Sequence, residues 1–342
     1  KIKTGSVSDS ITLTTPDING GTIDATLIGG TTPAAATFTT ASDASGNVRS
    51  GRKNFIINGN LAIAQRGTSS TANGFVSLDR WYVNQSGGST TFTQETNTSP
   101  TQTGGIKSYA RLNVSSSSDY TGILQKIEDV TSVPAGTVTL SFYAKGTAPV
   151  GGLYVYFGQD FGTGGSADVD INGVLVTSSL TSSWVKYSTQ ITIPSVDGKT
   201  INSGSFLQLK IFQGSNTSST AYDLNITGIQ LEVGSVATSF EHRSYGEELA
   251  LCQRYFHLGS LAGFMGGYTA NNQIGGPWNF PVTMRAVPTV TFASLAGDPN
   301  FSGVAFPNGV SEGAMRVLGS FTGLGDNING YLDGTYEADA EL

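Results

Sequence analysis

Charge is scarce in this sequence. Only 13% of its 342 residues are Asp, Glu, Lys or Arg, and the net charge is −7. That balance leaves no basic footprint to neutralise a phosphate backbone, which excludes a nucleic-acid partner. There is one cysteine, Cys252, so an intrachain disulfide and a cysteine zinc cluster are both ruled out. No run of about 18 apolar residues occurs, so no segment inserts in a membrane as a spanning helix. The first residue is Lys1, with no signal-peptide pattern, and the chain is expected to be part of a longer protein. What the sequence has in quantity is glycine, 45 residues, with Ser, Thr and Asn around it. This is the composition of turn-rich β structure with a hydroxyl-bearing surface.

The chain divides into four stretches. Residues 1–51 are poor in apolar bulk and cannot build a core alone. Their β-branched residues recur between Gly20-Gly21 and Gly29-Gly30, a pattern that predicts a thin β-shaft followed by a polar linker, with a disordered linker as the alternative. Residues 52–243 read as one antiparallel β-sandwich. Strands are expected at Asn54–Ile57, Asp79–Val83, Thr90–Thr93, Ser108–Asn113, Gly122–Ile127, Val138–Ala144, Gly152–Phe157, Trp184–Ile193, Phe206–Phe212 and Tyr222–Val233. Their spacers carry Gly, Ser, Asn or Pro. Within them Val138, Leu140, Phe142 and Ala144 fall on one face, and Leu207, Leu209 and Ile211 oppose Gln208 and Lys210, so each sheet has one face on a core. Residues 259–342 form a smaller β unit, thin in apolar residues for its length. It ends in a strand within 330–342 and an acidic group, Glu337, Asp339 and Glu341.

Between the last two lies a helix, expected over 244–258. Ser244 and Glu247 stand in S-x-x-E spacing, a capping box. Tyr245, Leu249, Cys252 and Phe256 make one apolar stripe; Leu251, Tyr255 and Leu258 make a second. A helix lying on its own domain needs one stripe. The second is expected to meet another partner, which could be the same helix of another copy.

Catalytic chemistry finds little to stand on. A nucleophilic triad needs a histidine held by an acid, and His242, between Glu241 and Arg243, reads as a hydrogen-bonding residue at the helix boundary. Paired carboxylates such as Asp168 and Asp170, or Glu128 and Asp129, are all that glycoside hydrolysis requires, but acids are too common to be a signal. The run Asp168-x-Asp170-x-Asn172-Gly173 matches half of a calcium loop, with Ser179 where the closing acid should stand. It reads as a hairpin turn with Asn-Gly at its tip. No catalytic residue, cofactor or metal ligand is assigned.

Two stretches look familiar. GIQLEVGSVATSFEHRSYGEELALCQRYF, over 228–256, resembles a segment recurrent in tail-fibre and related appendage proteins of bacteriophages. NFIINGNLAIAQRG…LDRWYV, over 54–83, resembles the opening of the module which that segment closes, and GGTIDATLIGGTTPAAATFTT, over 20–40, a fibre shaft from the same setting. The resemblance implies a virion fibre, usually trimeric, with jelly-roll modules that often resemble carbohydrate-binding ones. The expected architecture is all-β: shaft, jelly-roll sandwich, one short helix at a trimer axis, and a small C-terminal β domain, assembled as a homotrimer on a tail or other external appendage beside other virion tail proteins. The function expected is attachment to a bacterial surface glycan without catalysis. The alternatives are a purely structural fibre or connector and a polysaccharide depolymerase.

Aromatic residues carry the ligand question, because a sugar site pairs an aromatic plate with Asn, Asp or Gln for the hydroxyls. Tyr154 and Tyr156 share one strand face, and Trp184 and Tyr187 open a later strand. Trp81 reads as core. The cluster Tyr268, Asn271, Asn272, Gln273, Trp278 and Asn279 crowds a glycine-rich region and is the ligand site the sequence favours, with Trp278 as the plate.

Overall fold

In the computed structural model, the residues described are 52–116, 120–147, 151–213, 221–266, 273–297, 306–320 and 329–342, together with two short strands before them. Residues 1–41, where the shaft is expected, lie outside this set.

Alternation in the sequence becomes strands nearly where it occurs. β1 (Ser42–Asp43) pairs with β2 (Gly46–Asn47). Then come β3 (Ser69–Ser70), β4 (Tyr82–Ser86), β5 (Ser89–Thr96), β6 (Ser108–Ser116), β7 (Tyr120–Glu128), β8 (Gly136–Gly146), β9 (Leu153–Asp160), β10 (Val169–Thr177), β11 (Val185–Ile193), β12 (Phe206–Gln213) and β13 (Tyr222–Val233). They form two antiparallel sheets, ordered β10-β9-β12-β7-β4 and β11-β8-β13-β6-β5-β3. Every connection from β6 to β13 except the β9–β10 hairpin crosses from one sheet to the other. That is the winding of a jelly-roll sandwich. The two inner faces close on Val138, Leu140, Phe142, Val155, Phe157, Leu207, Leu209 and Ile211, with Trp81 buried among them.

After α1 (Tyr245–Gln253) follow β14 (Phe256–Gly266), β15 (Gln273–Asn279), β16 (Thr289–Gly297), β17 (Phe306–Asn308), β18 (Ala314–Ser320) and β19 (Asn329–Asp339). They make two three-stranded sheets, β14-β19-β16 and β15-β18-β17. A second, small core of Leu261, Phe280, Met284, Met315, Val317 and Tyr336 lies between them. Ser42–Leu342 is one compact unit.

The two familiar stretches turn out to be each other's partners. β13 carries a bulge between Thr227 and Gln230, with Gly228 at φ 63°. The bulge frees Ile229 from β8, so that its N–H donates to the Gly59 carbonyl at 2.9 Å while its own carbonyl accepts from Asn54 Nδ2 at 3.1 Å. A Cβ on Gly59 would stand 2.1 Å from that carbonyl oxygen, so the residue must be glycine for the two backbones to approach. Glu241 accepts from the N–H groups of Lys53 and Asn54 at 3.1 and 3.0 Å. Arg243 donates to the carbonyls of Ile56 and Asn54 and pairs with Glu241 and Glu248. Buried Glu248 in turn accepts from the Asn58 N–H at 2.6 Å. Asn54–Ile57, expected as a strand, therefore has no continuous ladder, and neither does the wider segment 53–58. The Phe55 N–H reaches the Leu231 carbonyl of β13 at 3.0 Å, and the neighbouring polar groups are met by the side chains of Glu241, Arg243, Glu248 and Gln125.

The opening stretch continues the network. Asn58, at φ 55°, donates to the Ile63 and Asp79 carbonyls, and Trp81 Nε1 donates to the Asn58 carbonyl at 3.0 Å. Asp79 to Trp81, expected in a strand, form a turn with Arg80 at φ 70°, and the strand begins only at Tyr82. Asp79 accepts from Gln65, through its backbone N–H at 2.8 Å and its amide.

Burial raises the Asp79 carboxyl from an ordinary 3.8 to about 6, the bonds from Gln65 and the charge of Arg66 only partly opposing it. The folded protein thus holds this proton in a window where the unfolded chain has released it. Between pH 3.8 and 6 the native state binds more protons, so the contribution of Asp79 to stability falls as pH rises and stays unfavourable above pH 6. Carbon-detected NMR titration of the Asp79 carboxyl is expected to give a midpoint near 6, with the urea midpoint of unfolding rising as pH drops from 7 to 5.5. A carboxyl midpoint near 4 would remove the effect.

Candidate functional site

The helix is shorter than its pattern suggests. The capping box forms as read, Glu247 N–H to Ser244 Oγ at 3.3 Å and Ser244 N–H to Glu247 Oε2 at 2.9 Å. The helix stops at Gln253, and the chain turns into β14 at Phe256. This divides the stripe of Leu251, Tyr255 and Leu258. Leu251 stays on the helix, half-buried. Tyr255 is buried, with its ring under the Arg80 guanidinium at 3.4 Å and its hydroxyl donating to Glu128 at 3.1 Å. Leu258 lies on β14 and is 42% exposed. Of the other stripe, Cys252 and Phe256 are buried, whereas Tyr245 is 65% exposed.

Of the favoured ligand cluster, Gln273, Trp278 and Asn279 lie among the described residues, on β15. Trp278 and Asn279 are neighbours on β15 and point to opposite faces. Trp278 packs, half-buried, against the core of Phe280, Met315 and Tyr336, while Asn279 is exposed. Tyr268, Asn271 and Asn272 lie outside the described residues. Trp184 is also taken up internally. Its ring meets Tyr109 edge-on at 5.3 Å under Lys145 Nζ at 4.8 Å, outside the sandwich core. His242 takes its boundary role, its Nε2 lying 2.8 Å from the Gly104 carbonyl.

A different aromatic face is assembled, on the outside of the five-stranded sheet. β9 and β12 lie side by side, with Tyr154 opposite Phe212, Tyr156 opposite Lys210, Gly158 opposite Gln208 and Asp160 opposite Phe206. Leu153, Val155, Phe157, Leu207, Leu209 and Ile211 fill the inner face, so the facing residues must stand outward. Tyr156 leans along its strand over Gly158, where a Cβ would sit 2.9 Å from the phenol oxygen. Its hydroxyl bonds Asp170, and Lys210 Nζ stands 5.2 Å from the ring centroid. Burial, then the Asp170 bond, push the Tyr156 phenol well up, while burial pulls the Lys210 ammonium down. Tyr154 and Phe212 are 6.2 Å apart in a tilted pair.

Beside Tyr156 is a recess of about 160 Å³, lined by Gly158, Asp160, Asp168, Asp170, Phe206 and Gln208. Asp168 and Asp170 come to it because β10 runs alongside β9. Asn172-Gly173 forms a bulge between Ile171 and Val174 inside a continuous strand, not the hairpin tip expected. Among the described residues no three His, Cys, Asp or Glu side chains are disposed to hold a metal ion. The arrangement is an aromatic plate held flat by a glycine below it and fixed by a carboxylate, with further acceptors and an amide around a small hollow. Such a surface takes a ligand with one apolar face and several hydroxyls. Alternation found part of it, since Tyr154 and Tyr156 share a face by their spacing, and it could also have pointed to Phe206 and Phe212, aromatic residues on the polar side of an alternating strand. The contribution of β10 comes only with sheet order.

No protein-family model and no curated protein matches the chain. Among solved structures it is similar to the family 11 carbohydrate-binding module of the cellulase Lic26A-Cel5E of Clostridium thermocellum, at 14% identity over 52% of this chain and 98% of that one, with a TM-score of 0.29. A family 30 carbohydrate-binding module matches at 14% identity, 53% and 89% coverage and 0.31. The enzymatically active domain of tailspike protein 4 of bacteriophage CBA120 matches at 16%, over 52% of this chain and 21% of that one, at 0.32. These likenesses are weak, and nothing about a ligand of this chain follows from them.

Proposed function

We propose that the chain is a subunit of a trimeric bacteriophage tail fibre or related virion appendage, and that it attaches to a bacterial surface glycan without cutting it. The glycan lies on the outward face of β9, β10 and β12. The observation that carries the binding reading is Tyr156, laid over Gly158 between Lys210 and Asp170 and opening on the Asp160, Asp168 and Gln208 recess. The fibre reading is supported by the stretches over 54–83 and 228–256, which resemble those of fibre modules. Each weak site would gain from threefold repetition.

A glycan array probed with the purified chain tests this directly. One stacked ring is worth about 1 kcal/mol, so Tyr156→Ala should weaken a single site about fivefold and a trivalent contact by considerably more. Light scattering is expected to give three times 35.5 kDa. Loss of no array signal in Tyr156→Ala sinks the assignment of the face. A folded chain that binds only other virion proteins favours a structural connector. Release of reducing ends from host polysaccharide makes the protein a depolymerase instead.

A further inference from the structure

A second recess opens elsewhere, by the six-stranded sheet, where the chain enters β6 and α1 begins. It encloses about 290 Å³ between Asn60, Ile106, Lys107, Ser108, His242 and Tyr245. Ile106 is buried and gives it an apolar floor. Tyr245 gives it a wall. Its spacing puts this ring in an apolar stripe, yet it is exposed and makes no hydrogen bond or ring contact among the described residues. Lys107 is exposed, and its ammonium has no partner among them either. The Asn60 side chain spends its oxygen on the Ala62 N–H and leaves its two amide hydrogens uncommitted. His242 uses only Nε2, on the Gly104 carbonyl.

The polarity of this recess is opposite to that of the sheet face. No carboxylate lines it, in a chain of net charge −7, whereas three aspartates line the other. Arg243 also borders it, but its charge is already met by Glu241 and Glu248. The free positive charge is therefore that of Lys107. The N-terminus of α1 is closed by its own capping box, so the recess depends on side chains and not on the helix end. Lys107 with an uncommitted ammonium, Asn60 with an uncommitted amide N–H₂ and the unstacked Tyr245 all line this one hollow. They ask for a ligand with an apolar ring face and an anionic, acceptor-rich edge.

We infer that this recess binds a carboxylate-bearing sugar, its ring on Tyr245 and its carboxylate on Lys107 and the Asn60 amide. The site is separate from the face at Tyr156 and does not depend on it. Calorimetric titration of the purified full chain with a trimeric uronate, a neutral glucose trisaccharide and inorganic phosphate tests it, with Tyr245→Ala and Lys107→Ala as variants. Both residues are exposed, and a melting curve checks that each variant folds. The uronate is expected to bind, and more weakly as salt is raised. Lys107→Ala should weaken it about tenfold, the loss of one charge-assisted bond, and Tyr245→Ala about fivefold. Lys107→Ala should leave any ligand of the sheet face unaffected. Uronate uptake that Lys107→Ala weakens, together with a glycan-array signal that Tyr156→Ala leaves unchanged, refutes the sheet-face reading and keeps this one. Equal binding of the neutral trisaccharide, binding of phosphate alone as tight as the uronate, or unchanged uronate binding in both variants overturns it.

Discussion

Arg80→Ala is expected to destabilise the protein by about 3–5 kcal/mol, the cost of breaking a buried ion pair from one side. Arg80 is 1% exposed. Its guanidinium pairs with Glu341, donates to the Lys126 carbonyl and lies 3.4 Å over the Tyr255 ring. Nearby, Arg66 pairs with Asp339 at 3.1 Å and with Glu341 at 3.4 Å, and lies 3.5 Å over Phe256. These two arginines of the sandwich tie down the turn after α1 and the end of β19. With Arg80 gone, Glu341 keeps only the longer contact to Arg66 inside a nearly dry site. Unfolding by urea, followed both by total tryptophan fluorescence and by exchange of amides on β14 and β19, should show the C-terminal sheets opening before the sandwich. A double cycle with Glu341→Ala isolates the pair. A loss below about 1 kcal/mol for Arg80→Ala would class the contact with surface ion pairs and leave the two cores independent.

Trp81→Ala is expected to be as damaging, about 3–5 kcal/mol, for a different reason. Trp81 is fully buried in the sandwich core, and its Nε1 is the donor to the Asn58 carbonyl. Truncation leaves a cavity and removes one of the two hydrogen bonds to the Asn58 carbonyl, the other coming from the Leu61 N–H at 3.1 Å. The melting temperature of the sandwich should fall, with the C-terminal sheets losing stability only as its consequence. Trp81→Phe, which keeps most of the volume and loses the donor, should cost clearly less. If the two variants melt alike, the hydrogen bond and not the packing is what Trp81 supplies. The adjacent residues 80 and 81 thus serve different parts, Arg80 the contact with Tyr255 and Glu341 and Trp81 the sandwich core, and the turn at Arg80, with φ at 70°, is what points them apart. A positive φ at a residue with a long side chain is costly, and here the contacts on both sides hold it in place.

The residues of the two familiar stretches owe their roles to this architecture. Glu241, Arg243 and Glu248 pair with one another and with backbone. They satisfy backbone groups of residues 53–58 that no strand reaches.

Local sequence determined the strands and where they face. Val138 to Ala144 and Phe206 to Phe212 alternate so regularly that only one face of each could be inside, and the capping box at Ser244 and Glu247 names the start of the helix without help from any distant residue. The fold class follows from such patterns because period and cap are properties of a few consecutive residues. The end of the helix was not of this kind. The apolar spacing continues to Leu258, but Arg80 and Glu128 draw Tyr255 inward and β19 claims Phe256 onward, which ends the helix at Gln253. The tertiary structure likewise decided the sites. Trp278 and Asn279 are adjacent in sequence and face apart on β15, while Tyr156, Asp170 and Lys210 are distant in sequence and meet because β9 lies between β10 and β12. Which strands become neighbours is settled by closing two apolar faces on each other, a choice among long-range pairings that no short window of residues contains.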